Sequence, residues 1–176
     1  MKTSNLIFNV LNHASNDNIL EYDMFCDRLQ TIDFRFITYT LQQRCGWTKQ
    51  QIDQAIERYQ QLLFVLSQAP NQPVVPDRMT DQVLHAHLEM GDRFKQDCLH
   101  ILGFELTHES KSKMENEGDR RHWLALFAHT QLQLRKNFGM STKYRFRRSS
   151  SSIKFLLPAY CILSGFAKPQ SAAAPS

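Results

Sequence analysis

Apolar residues that recur every three or four positions set the fold class of this chain. The stretch from Thr48 to Leu66 carries the pattern most completely. Ile52, Ala55, Ile56, Tyr59, Leu62, Leu63 and Leu66 form one stripe of the width that a core-facing helix needs. Thr48 followed three residues later by Gln51 is a capping-box pattern, which satisfies two backbone donors left over at the helix start. The stripe ends before Pro70, and the segment PNQPVVP, with prolines at 70, 73 and 76, cannot be helical.

The same spacing recurs along the chain. A short helix is expected over residues 4–13, and a second over 20–29 with Tyr22, Phe25, Cys26 and Leu29 on one side. A third over 34–45 carries Phe34, Ile37, Thr38 and Leu41; Thr31 to Asp33 precede it as a cap and Gly46 stops it. A last helix begins at a cap on Asp119 and ends at Gly139, with Trp123, Leu124, Phe127, Leu134 and Phe138 as its buried side. No internal repeat and no alternating strand run stands out, although Phe104 to His108 is short enough to be extended. The expected architecture is an all-α compact bundle of five to seven helices over residues 1–139, followed by a low-complexity basic C-terminal tail, partly disordered, over 140–176.

Charge separates those two regions. Residues 140–176 contain Lys143, Arg145, Arg147, Arg148, Lys154 and Lys168 and no acid. Taking these six from the 21 basic residues leaves 15 against 17 acidic ones in the body. A mildly acidic body is not the footprint of a nucleic-acid-binding domain, whereas the tail suits weak contact with a polyanion or an anionic lipid surface. The longest apolar run, Phe155 to Phe166, includes Pro158 and Gly165 and is too short to span a bilayer. Cys26, Cys45, Cys98 and Cys161 are widely spread, with no CxxC pair, and no signal peptide is legible at the N-terminus. Free thiols in a reducing cytoplasm are therefore expected.

Chemistry concentrates between Pro76 and His108, where His85, His87, His100 and His108 fall in or beside one apolar-periodic stretch. As one helix capped by Thr80 or Asp81, it would align Val83, His87, Met90, Phe94, Cys98 and Ile101 on one face. Asp81, His85, Glu89 and Asp92 would share another. His87 then faces the core and His85 the acids. A break at Gly91-Asp92 is the other reading, since Gly is costly inside a helix and Asp is a good cap. His85, His87 and His108, with Asp97 or Cys98, offer ligand types suited to Zn, Fe or Cu. Positions i and i+2 of a regular helix point roughly 200° apart, however, so His85 and His87 reach one ion only where the helix is distorted. The plainer reading makes His87 a satisfied core histidine and pairs His85 with Asp81 or Glu89, one turn away. A row of Asp81, His85 and Glu89 could also tune an imidazole for acid–base work. Cys98, on the apolar stripe, is expected to be an inert buried thiol.

In this region the order of motifs resembles the glycine-rich domain-containing protein-like family. The pieces are GWT at 46–48, ERYQQLL at 57–63, VVP at 74–76, Asp81-x-x-Leu84-His85-Ala86-His87, Phe94-x-x-Asp97-Cys98, Gly103-Phe104, His108, and FAHTQLQLRKNFG at 127–139. The likeness covers residues 34–139. Leu84 stands where the family has tryptophan and Phe94 where it has tyrosine. Met90-Gly91 replaces Asp-Thr, and His108 alone remains of a His-His pair. The resemblance implies a fold rather than a particular reaction. Two functional expectations follow: a small helical binding or interaction module around the His-x-His core, with a protein or small-molecule partner, or a metal-dependent enzyme or metal-binding protein using His85, His87 and His108.

Overall fold

The computed structural model describes residues 16–110, 116–139 and 157–166. The helix expected over 4–13, and most of the basic tail, lie outside them. Six helices and one strand pair make up the described residues: α1 (Asn16–Leu29), α2 (Arg35–Cys45), α3 (Lys49–Gln68), α4 (Arg78–Leu88), α5 (Asp92–Leu102), β1 (Glu105–Ser110), α6 (Glu117–Phe138) and β2 (Cys161–Phe166). The all-α bundle is therefore correct in outline, with a small two-stranded sheet added to it. No helix among the described residues is long and apolar enough to cross a membrane.

Helix α3 is the central element. Its capping box is formed, with the Thr48 hydroxyl accepting from the Gln51 N–H and the Gln51 side chain accepting from the Thr48 N–H. Ile52, Ala55, Tyr59, Leu62, Leu63 and Leu66 are all buried along it, and α4 packs beside it. Gly46 ends α2 in the left-handed conformation, and its N–H reaches back to the Gln42 carbonyl. Asp33 does help to start α2, accepting from the Arg35 N–H at 3.0 Å.

Two expected caps are shifted. Asp77, rather than Thr80 or Asp81, caps α4 by accepting from the Thr80 N–H at 2.9 Å. Its carboxylate is buried, which is tolerable because Arg58 Nε donates to it at 2.8 Å. Asn116, rather than Asp119, caps α6 by accepting from the Asp119 N–H. Leu124 on α6 is exposed, so that helix buries Trp123, Thr130, Leu134 and Phe138 instead of the full expected stripe.

The stretch after Pro76 is two helices, not one. Gly91 adopts φ 61° and ψ −120°, a combination that residues with a side chain rarely adopt, and α5 begins immediately after it. The resulting turn brings Asp97 of α5 back against His87 of α4.

β2 pairs antiparallel with β1, placing His108 opposite Leu163 and Ser110 opposite Cys161. Ahead of it, Pro158 bridges Asp77, and the Val74 and Leu163 backbones exchange hydrogen bonds of 2.8 and 2.9 Å. Part of the region expected to be tail is thus built into the body, with Ala159, Cys161 and Leu163 buried and Tyr160 exposed. Gly165 permits this closeness: a Cβ there would sit 2.5 Å from the Phe104 ring.

Gly91→Ala tests the break directly. Space around a new Cβ at Gly91 is open, so the cost is backbone strain alone. Urea unfolding is expected to show a loss of about 1–3 kcal/mol with an unchanged m-value.

Candidate functional site

Alternate residues of α4 serve two different environments. His87 points inward and is fully buried. Its Nδ1 lies 2.9 Å from the Tyr59 hydroxyl of α3, and its Nε2 lies 3.3 Å from Asp97 Oδ2 of α5. The carboxylate assigns the ring: Nε2 carries the hydrogen and donates to Asp97, so Nδ1 is free to accept from the Tyr59 O–H. Asp97 is also buried, and its second oxygen accepts from Arg93 Nε at 2.8 Å. Phe94 closes the pocket edge-on, with ring centroids 4.9 Å apart. Burial lowers the His87 pKa more than Asp97 can raise it, and burial pushes the Tyr59 phenol well above its ordinary value. The ring is therefore held neutral.

His85 points the other way, toward a solvent-open cleft of about 320 Å³ between α4 and the strand pair. Asp81, one helical turn earlier, Arg78, His108 of β1 and Tyr160 and Cys161 beside and on β2 line the same cleft. His108 and Cys161 are diagonal neighbours on the ladder, so their side chains leave the same face of the sheet. Cys161 Sγ donates to Asp81 Oδ1 at 3.0 Å. One donor atom each from Asp81, His108 and Cys161 lie within 4.8 Å of one another. His85 Nε2 is 3.6 Å from Asp81 Oδ1, and its ring meets His108 edge-on at 4.9 Å between centroids. His108 Nε2 is buried and has no hydrogen-bond partner.

The electrostatics of the cleft agree with its geometry. Burial lowers the His108 pKa, the neighbouring His85 lowers it further, and Asp81 opposes both, so the ring is neutral and able to donate a lone pair. Burial and then the Asp81 charge raise the Cys161 thiol, which keeps its proton and shares it with the carboxylate.

Of the residues expected to form a site, Asp81, His85 and His108 come together. His87 and Asp97 form the separate buried cluster behind them. Cys98 is buried beside Asp97, and burial pushes its thiol up to about 12, as expected for an inert core cysteine. Glu89 does not join His85, because Arg44 takes both its oxygens at 2.5 and 2.8 Å. Cys161, Tyr160 and Arg78 are additions. The alternation of buried Ala159, Cys161 and Leu163 with more exposed Tyr160, Ile162 and Ser164 appears only in the structure, because Ala159 to Leu163 is a continuous apolar run in the sequence.

No protein-family model matches this chain, and neither the curated proteins nor the solved structures provide a match.

The neutral His87 carries a pH prediction. Its folded pKa lies below the ordinary 6.5, so the unfolded chain binds more protons as pH falls through that value. Stability is full above about pH 6.5 and declines below it. His108 adds a contribution of the same sign. Thermal unfolding from about pH 7 to pH 5 is expected to show a falling Tm, with a shallower fall in His87→Gln. An equal slope in that variant would remove His87 as the origin.

Proposed function

We propose that this chain is a small helical metal-binding module whose ligands are Asp81, His108 and Cys161, with His85 beside them as a fourth donor. The observation that carries the reading is the convergence of a carboxylate, an imidazole and a thiol from three different elements, with donor atoms within 4.8 Å. Tetrahedral zinc, with bonds of roughly 2.0–2.3 Å, places its ligand atoms roughly 3.3–3.8 Å apart. The thiol–carboxylate separation of 3.0 Å is a few tenths of an ångström shorter than that spacing, as expected where a shared proton stands in place of the ion. Small side-chain movements bring the three donors onto one ion. A mixed sulfur, nitrogen and oxygen set favours zinc over the hard cations.

The His-x-His pair then divides its work. His87 is too deep to touch a ligand, and its bonds to Tyr59 and Asp97 fix the rotation of α4. That rotation puts Asp81 and His85 in the cleft at i and i+4, the spacing with which metal-binding helices present two ligands to one ion. We also propose a relationship to the glycine-rich domain-containing protein-like family, which rests on the order of the sequence motifs. Gly46 and Asp97, both in its motifs, end a helix and hold the buried imidazole. A reducing, cytoplasmic setting suits the four free cysteines, one of which has to be available as a thiolate.

Metal analysis of protein purified without a histidine tag tests the reading. About one zinc per chain is expected, released at least about 10-fold more readily from Cys161→Ser and His108→Ala. His87→Gln, which removes no donor but loosens α4, is expected to release zinc less readily than either of these variants. Binding must displace the thiol proton, so affinity is expected to rise with pH. Protein that takes up no zinc, or a Cys161→Ser variant that binds as tightly, would overturn the assignment.

A further inference from the structure

Arg78 lines the cleft beside the three donors, yet no carboxylate lies within ion-pair distance of it among the described residues. Its guanidinium instead rests over the Tyr160 ring, 5.8 Å from the centroid. Tyr160 is in turn stacked on Trp123, with ring planes 6° apart and centroids 5.4 Å apart. Trp123 is anchored through its indole N–H to the Ala159 carbonyl at 3.1 Å. A cation held by a rigid aromatic stack at the mouth of a cleft has few rotamers left to lose on binding an anion.

Charge balance points the same way. With Asp81 and Cys161 as anionic ligands and neutral imidazoles, a divalent ion is fully compensated within its own ligand set. Arg78 is then the unbalanced charge in the cleft. Three ligands from the chain also leave a tetrahedral ion with a position for His85 or for an exogenous group.

We propose that the cleft binds a small carboxylate-bearing molecule, its carboxylate held by the Arg78 guanidinium beside the metal and its apolar part laid against the exposed part of the Tyr160 side chain. This rests on the metal reading for the ion but not for the arginine subsite. A guanidinium presents its N–H groups as a planar fork that matches a carboxylate. Tyr160 remains 53% exposed with Trp123 stacked on it and Arg78 over its ring, so part of its aromatic edge is available next to that fork.

The experiment loads the full chain with Co²⁺, whose visible bands report its ligands, and titrates benzoate, acetate and inorganic phosphate in turn. Benzoate is expected to change the cobalt spectrum or the tryptophan fluorescence saturably, more tightly than acetate, which lacks the ring, and than phosphate. Arg78→Gln is expected to weaken benzoate binding about 10-fold or more while Co²⁺ affinity changes less than about 2-fold. Arg78→Lys is expected to recover only part of the loss. If Co²⁺ does not bind, the metal reading fails separately. Benzoate is then titrated into metal-free protein by tryptophan fluorescence, where a saturable change lost in Arg78→Gln still supports the subsite. No saturable response in either form, equal affinity for phosphate, or unchanged binding in Arg78→Gln would overturn it.

Discussion

A histidine cut off from water has to find partners for both ring nitrogens, and meeting that demand at His87 fixes how three helices sit. Tyr59 satisfies one nitrogen from α3 and Asp97 the other from α5, while Arg93 holds the carboxylate. Each buried polar group here is tolerable only because the next one is present. The relay is therefore cooperative: removing His87 would leave Asp97 buried with only Arg93, and the Tyr59 hydroxyl without its imidazole partner. The turn at Gly91 serves the same end, since a continuous helix would carry Asp97 away from His87.

The rotation of α4 imposed by that relay creates the outer cleft. With His87 fixed inward, Asp81 and His85 have no choice but to face the other way, where β1 and β2 present His108 and Cys161. Asp77 steadies the start of the same helix. It caps the backbone, pairs with Arg58 and lies beside Pro158 at the entry to β2. The inner cluster is closed and structural, the outer one open and chemically versatile, and one helix supplies both.

Much of this was legible in the residues. The Thr48–Gln51 box, the Gly46 stop, the inward His87 and the pairing of His85 with Asp81 all follow from interactions within one or two helical turns. The caps at Asp77 and Asn116 were harder, because Ser, Thr, Asp and Asn compete at neighbouring positions and tertiary partners such as Arg58 decide among them. Cys161 was illegible as part of a site for a different reason. Its strand hides inside an apolar run that length alone describes, and nothing local says that this run returns to pair with Glu105–Ser110. Non-local pairing is what a single sequence reveals least.

That pairing has a consequence for the order in which the molecule assembles and opens. β1 and β2 lie on either side of α6 in the chain, so joining them closes a long loop, whose entropy is offset by the ladder, by the Val74–Leu163 hydrogen bonds and by the burial of Cys161 and Leu163. A pairing of such high sequence separation is expected to form later than the local turns of the helices around α3. Opening of the ladder would bare the Cys161 thiol and the backbone edge of β1 together, so oxidation of Cys161 in that state would hold open an edge able to pair with a neighbouring chain.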